Sequence, residues 1–317
     1  MSKHVVSIGD LVLDLITPVR LPIQPFKHQE IRILDFQPGG GCNFMIMARR
    51  LGLRVSAIGT LGTDAFGNQL RTMLKAENID LRGVVSMPGS RTTVVYDLID
   101  TERHEHAFIA YNATGPVARY DNIMDAVLIS GHAVFMQAYN LMEQQLAEIV
   151  DPVMERARQK RIPIFFDVGP TVAHVKPKML EQAMARADYL MMTEEEMSLA
   201  ACGKTGAAAI DYLLGLGPHT LVIKQQERGC TVVQRDWQQH FDAFRVNVID
   251  SVGAGDCFNA AFIYGFLHGY DLSTCAILGN AAGGASVQKL GSGLNVPTCA
   301  EVQAVLASTS LEVSLPC

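Results

Sequence analysis

The sequence predicts an α/β fold: a three-layer sandwich with a mostly parallel central sheet, plus a small β-sheet lid. Three observations predict it. Short apolar runs rich in Val and Ile alternate with segments of helical spacing along most of the chain. These runs are continuous, as strands buried on both faces are. Two stretches, 12–36 and 90–110, instead alternate polar and apolar residues, as half-exposed strands do.

Taken in order, HVVSIG reads as a strand, NFMIMARRLG as a helix, RVSAIGTLG as a strand and Asp64 to Glu77 as a helix. After the second lid stretch (TTVVYDLID, HEHAFIAY) the alternation resumes with AVLISGHAVF and a helix over Leu141 to Lys160. The buried strand IPIFFDV, a helix over Lys178 to Arg186, YLMMT, further helix and TLVIK follow. RVNVID reads as a strand ahead of SVGAG, and Asp256 to His268, apolar nearly all round, as a buried helix. There is no repeat, low-complexity tract or long linker, so 1–317 reads as a single domain whose lid strands come from 12–36 and 90–110.

With 49% hydrophobic and 18% charged residues, the chain can bury a large core and is not disordered. A net charge of -6 without blocks of like charge excludes a broad basic surface for nucleic acid and favours a small-molecule partner. The seven cysteines are scattered, with no CxxC pair, which argues against a disulfide framework or structural zinc and for a reducing cytoplasm. Asp10 and Asp14 interrupt the apolar core that a signal peptide needs. The uncharged run Ala126 to Met142 contains His132, Gln137 and Asn140 and falls short of the ~20 apolar residues of a membrane span. A cytoplasmic protein without a membrane segment is expected.

The stretch DSVGAGDCFNAAF, Asp250 to Phe262, carries the chemistry. Gly253, Ala254 and Gly255 expose backbone N–H groups where a helix opens, a place that attracts anions. Asp256 would lie at or near the N-cap. Either it caps the helix, contributing about 1 kcal/mol, or it is a base that takes a proton from a hydroxyl while the amides hold a transferring phosphoryl group. A dinucleotide fingerprint fits less well, since its glycines follow an early strand.

These residues resemble the C-terminal signature of the ribokinase-like (PfkB) carbohydrate kinase family. GGGCNFMIMARRLGLRVSAIGTLGTDAFG, Gly39 to Gly67, resembles the N-terminal one: paired glycines, an Asn, an A-x-x-L-G helix end and G-x-x-G-x-D-x-x-G. The resemblance implies a Rossmann-like body and ATP-dependent, Mg²⁺-requiring phosphorylation of a hydroxymethyl group. It makes Asp256 the catalytic base and Gly253, Ala254 and Gly255 the anion hole. Asp14 would grip sugar hydroxyls, and Gly40, Gly41 and Asn43 would bring backbone and an amide against the sugar. That loop is one residue shorter than the commonest family form, so Gly39 enters the choice of glycines. Asp64 would hold a turn.

Glu196 would organise water around Mg²⁺, with Thr193 where the family has Asn; the alternative is a solvated acidic helix start. KQQERG, Lys224 to Gly229, occupies the place of the phosphate-side loop, with Gln226 for its first glycine. Lys224 and Gly229 would then face the nucleotide, unless Lys224 simply snorkels at a strand end. Asn280 would border the adenine, and Asp250 with the backbone oxygens of Ser286, Lys289 and Gly291 would hold K⁺, unless the small residues there serve close helix packing. The first choice of acceptor is an unphosphorylated sugar. A nucleoside, stacked on Phe26, Phe36, Phe44 or Phe108, is the alternative; a sugar phosphate would need a clamp from Arg20, Lys27, Arg32, Arg91 or Arg103. A non-catalytic binding homologue is the rival class, left open by Thr193 and Gln226. Pairing of open lid edges would give a homodimer. His104 and His106 share a strand face but lack a third ligand for zinc, so solvated histidines are expected there.

Overall fold

The structure, a computed structural model, describes residues 2–100, 102–103, 105–112, 114–142, 146, 148–309 and 313–316, apart from the Glu105 side chain. The chain opens with β1 (His4–Ile8), β2 (Leu11–Pro18), β3 (Asp35–Gly40), α1 (Gly41–Arg50), β4 (Arg54–Thr60), α2 (Ala65–Ala76) and β5 (Asp80–Val85). It continues through β6 (Thr93–Asp100), β7 (Glu105–Tyr111), α3 (Asn122–Ile129), β8 (Ala133–Gln137), α4 (Val150–Gln159), β9 (Ile164–Asp167) and α5 (Pro177–Arg186). Then come β10 (Tyr189–Thr193), α6 (Glu194–Ala200), α7 (Gly206–Leu216), β11 (Thr220–Lys224), β12 (Cys230–Gln234) and β13 (Trp237–Phe241). Three helices close the chain: α8 (Ala254–Leu267), α9 (Leu272–Ser286) and α10 (Cys299–Leu306).

Nine strands form one sheet in the order β13-β12-β11-β10-β9-β8-β1-β4-β5, parallel except for the β11-β12-β13 meander at one edge. Because successive side chains of a strand point to opposite faces, Val5, Phe135 and Phe165 enter the core under α1, α2, α8, α9 and α10. Val6, Val134 and Phe166 enter the core under α3 to α7. Each fully buried side chain of this kind contributes about 1.5–3 kcal/mol. Continuous apolar strands are thus the signature of a sheet covered on both sides.

A second sheet, β3-β2-β6-β7, is the lid. The pairs Asp14↔Val95, Asp97↔Phe108 and Ile99↔His106 place Asp14, Asp97, His106 and Phe108 on one of its faces. Tyr96, Ile109 and Tyr111 stand exposed on the other.

Three sequence expectations are corrected. AVLISGHAVF is not one strand: Asp121 accepts from the N–H groups of Ile123 and Met124 and so starts α3, which holds Ala126 to Ile129, and the strand begins at Ala133. The helix expected from Leu141 starts at Val150, because Gln137 and Asn140 cap a short 3₁₀ turn after β8 instead. RVNVID is not a strand; β13 already forms the sheet edge, and the N–H groups of Ile249 and Asp250 go to the Val287 carbonyl at the end of α9. Cys299 is disulfide-bonded, while Cys42, Cys202, Cys230, Cys257 and Cys275 are free. No helix among the described residues is long and apolar enough to cross a membrane.

Candidate active site

The C-terminal ends of the parallel strands bring polar residues to one edge of the sheet, where ligands of such folds bind. Asp10 follows β1, and Gln137, Asp167, Thr193 and Lys224 end β8, β9, β10 and β11. Gln137 pairs in register with Asp167, and Thr193 with Lys224. The first turn of α8 faces this edge. Gly253 caps the helix with φ 77, a left-handed conformation that suits glycine. A Cβ there would also stand 3.0 Å from the Ser292 side chain.

Asp256 is the third residue of α8, not its cap, and no side chain caps this helix. Its carboxylate turns into the cleft, where Oδ1 accepts from Gln137 Nε2 at 2.9 Å and Oδ2 from Asn43 Nδ2 at 3.2 Å. Asn43 is itself fixed, since its Oδ1 accepts the Gly293 N–H at 2.7 Å. The geometry is therefore that of a presented carboxylate and not of a cap. The N–H groups of Gly255 and Asp256 have no acceptor among the described residues and remain available to an anion.

Burial, then the nearby charge of Asp167, pushes the Asp256 pKa up to about 7, with Asn43 and Lys224 pulling the other way. Asp14 also rises to about 7, through burial and then the charges of Asp97, Asp10 and Asp256. Asp10 reaches about 7 by burial, against a Gly41 hydrogen bond. These carboxylates oppose one another's ionisation and line an acidic pocket. Gly39 belongs to it with Gly40 and Gly41: a Cβ on Gly39 would lie 2.1 Å from Asp14 Oδ2, so only glycine lets β3 pass that carboxylate. Asp64 caps α2 and accepts from Thr92, which gives it the turn-holding part expected of it.

On the opposite flank, Lys224 is not a snorkelling lysine. Its Nζ lies 2.9 Å from Asp167 Oδ1, with Asp167 buried and Lys224 largely so, and Asn259 Nδ2 donates to Asp167 Oδ2 at 2.8 Å. The ammonium stands 3.4 Å from where a Cβ on Gly255 would be, beside the free amides. Burial works against its charge, but Asp167 and Glu196 outweigh burial and hold its pKa above the usual lysine value. Glu196 is buried, not a solvated helix start: it forms a capping box with Thr193, whose N–H donates to Glu196 Oε2 at 2.8 Å. Burial raises its pKa. Its Oε1 has no partner among the described residues, and a carboxylate of this kind fits Mg²⁺ held through water, the usual manner for that ion. In the loop behind Lys224, Gln226, in the place of the first glycine, takes φ 54, and Gln225 and Arg228 both donate to Glu194. Gly229, with φ 98, allows close passage of the strand end at Phe241.

Other expected site residues have local partners. Asn280 donates to the carbonyls of Phe241 and Asp242 at 3.0 and 3.1 Å and so ties α9 to the end of β13. Asp250 accepts the Val252 N–H on Oδ1 at 3.0 Å and the Gly291 N–H on Oδ2 at 2.8 Å, while His106 Nε2 lies 3.4 Å from Oδ1. The Ser286 carbonyl accepts the Lys289 N–H, and the Lys289 ammonium turns to Glu301. Asp250 thus ties the segment ahead of α8 to the loop that follows α9. His106 is likewise not solvated, and His104 lies outside the described residues; no cluster of three or more His, Cys, Asp or Glu that could hold a metal occurs among the described residues. Phe44 is fully buried against Phe135, and Phe36 packs on the core, so neither is a stacking platform; Phe108 is exposed on the Asp14 face of the lid.

Gln137, Asp10 and Asp167 are site residues that the sequence motifs do not point to. Their one local signal is a polar residue closing, or directly following, an apolar strand: VFMQ, SIGD, IFFD.

Residues 2–299 match the pfkB family carbohydrate kinase profile. A ribokinase of Bacillus subtilis is 27% identical over 314 residues, covering 96% of this chain and 100% of that protein. A nucleoside kinase of Methanothermobacter thermautotrophicus is 24% identical over 305 residues, covering 95% and 94%. The Arabidopsis thaliana ribokinase complexed with ribose and ATP shares the fold, with a TM-score of 0.80 at 18% identity over 99% of this chain and 100% of that one. With its ribokinase-like body, lid and strand-edge cleft, the chain belongs to the pfkB family of carbohydrate kinases and is an ATP-dependent sugar or nucleoside kinase.

Proposed function

We propose that this kinase phosphorylates a hydroxymethyl group of a small, unphosphorylated sugar. The observation that carries the reading is the Asp256 carboxylate, turned into the cleft by Gln137 and Asn43 beside free amides and the Lys224 ammonium. Asp256 takes the hydroxyl proton as the acceptor oxygen bonds to the γ-phosphorus and the bond from that phosphorus to the β,γ-bridging oxygen breaks, releasing ADP. The amides of Gly255 and Asp256, with Lys224, hold the charge that moves across the phosphoryl oxygens. Mg²⁺, bound with ATP, neutralises phosphate charge, and Glu196 would hold it through water. Asp14 and Asn43 orient the acceptor.

The acidic pocket of Asp10, Asp14 and Asp256 favours a neutral acceptor over a phosphorylated one. Of the arginines considered for a phosphate clamp, Arg20 is paired with Glu102. The exposed Phe108 on the Asp14 face supports a nucleoside as the second reading. A coupled assay of ADP release over sugars, sugar phosphates and nucleosides tests both. Turnover with a plain sugar is expected, and Asp256→Asn should keep the fold while losing about 10²- to 10⁴-fold in kcat, the range for a removed general base. Preference for a sugar phosphate, or near-wild-type turnover in that variant, would overturn the reading.

A further inference from the structure

Lys224 ends β11 and Asp167 ends β9, with β10 between them in the sheet, yet Lys224 Nζ lies 2.9 Å from Asp167 Oδ1. The lysine thus reaches back across a strand to a carboxylate whose side chain is 6% exposed. Asp167 is held from the helix layer as well, since Asn259 Nδ2 donates to its Oδ2 at 2.8 Å. Asn259 is fully buried, and in giving its N–H to Asp167 it leaves its own Oδ1 without a partner among the described residues. An orphaned buried acceptor is destabilising, so packing alone does not account for an amide at this position.

Asn259 stands one turn after Asp256 on α8, and residues at that spacing share a helix face. Gln137 and Asp167 lie opposite each other in register on β8 and β9. Two amide–carboxylate pairs therefore cross between sheet and helix in opposite directions, Gln137 to Asp256 and Asn259 to Asp167. The second pair fixes the ammonium beside Gly255, although the charges of Glu196 and Asp256 attract it too. An ammonium released from Asp167 would turn to Asp256 or to the phosphates of bound ATP. The first move occupies the carboxylate that must take the hydroxyl proton. The second stabilises the ground state as much as the transition state and gains nothing in rate. We infer that Asp167, clasped by Asn259, is a positioning residue that withholds the Lys224 ammonium from the base and from the ground-state nucleotide, so that its charge acts on the phosphoryl group during transfer. The inference rests on the kinase reading of Asp256 and Lys224.

The wild-type chain is compared with Asp167→Asn, Lys224→Met, the double variant of these two, and Asn259→Leu. Three quantities are read: the melting temperature, calorimetric binding of the Mg²⁺ complex of β,γ-imido-ATP without acceptor, and kcat and KM with the fastest acceptor of the panel above. Asp167→Asn should bind the analogue about 5- to 150-fold more tightly, the usual range of coupling between two sites. Its kcat should fall about 100-fold, the effect of misplacing a group by about 1 Å. Damage to the fold would weaken binding, so tighter binding together with slower turnover separates positioning from mere support. Lys224→Met should bind the analogue more weakly, and in the double variant Asp167→Asn should change neither binding nor kcat further, because Asp167 acts through the ammonium. Asn259→Leu, close in shape, loosens Asp167 without removing its charge and should show the same two changes to a smaller degree; it carries the test if Asp167→Asn does not fold. Analogue binding that is unchanged or weaker in the folded variants would overturn the inference, as would an unchanged kcat in both, or a tightening that persists in the double variant. The binding arm needs no acceptor, so it decides whether Asp167 restrains Lys224 even if the panel yields no turnover and the sugar reading fails.

Discussion

Asp256 must be ionised to take a proton, and burial beside Asp167 holds its pKa at about 7. The kcat/KM of the wild type should therefore rise with pH through about 7 instead of levelling off near the ordinary carboxylate range. Gln137 sets part of that value by donating to Oδ1. Gln137→Glu keeps the acceptor that caps the turn after β8 but replaces the donor with a second carboxylate, so the acid limb should move to higher pH. A limb that stays in place would remove Gln137 from contact with the base. Residues of this kind show where sequence reading stops. Gly253 to Asp256 lie in one run and could be read as a unit, whereas Gln137 lies 119 positions from Asp256 and meets it only because β8 sits two strands from β10 and next to β1. His106 was legible as a strand histidine, but its burial depends on how the lid seats on Asp250, which no local pattern encodes.

At the scale of elements, the start of α6 combines structure and chemistry. Thr193 accepts the Glu196 N–H, and Glu196 returns a bond to the Thr193 N–H. Thr193→Ala should therefore cost about 1 kcal/mol in denaturant unfolding, while Thr193→Asn should restore most of it, since Asn caps as well as Thr. Equal stability of wild type and alanine variant would show that the box carries no load. The T-x-x-E pattern announced such a box, and a reading that looked for metal ligands passed over it. Periodicity identified α8 because the helix is apolar on every side and buried almost throughout. It misassigned RVNVID for the complementary reason: six residues of strand-like composition whose sheet edge β13 had already taken, leaving Val248 and Ile249 exposed.

For the whole molecule, the acidic pocket sets a conflict between function and stability. Asp10, Asp14 and Asp256 have pKa values of about 7 in the folded chain against 3.8 for the ordinary group. Between these values the folded state binds more protons than the unfolded one, so stability falls as pH rises. The contribution is fully present below pH 3.8, fades through about 7 and is lost above it. Asp97 and Glu196, also raised by burial, act in the same sense. Buried His4, whose pKa is lowered by burial, acts oppositely but is a single group. Carboxylates held low, such as Asp64 and Asp80, lose their stabilising effect only in more acidic solution. The unliganded protein should consequently melt at a higher temperature at pH 5 than at pH 8. Asp14→Asn removes one of the opposed charges, so it should flatten that slope and raise the melting temperature at pH 8 while weakening acceptor binding. A wild-type melting temperature that rises from pH 5 to pH 8, or an asparagine variant with an unchanged slope, would mean that the three carboxylates do not share a buried pocket. If the trade is real, a neutral polyol bound among them should stabilise the protein most at high pH, where it relieves the charges that folding alone leaves in opposition.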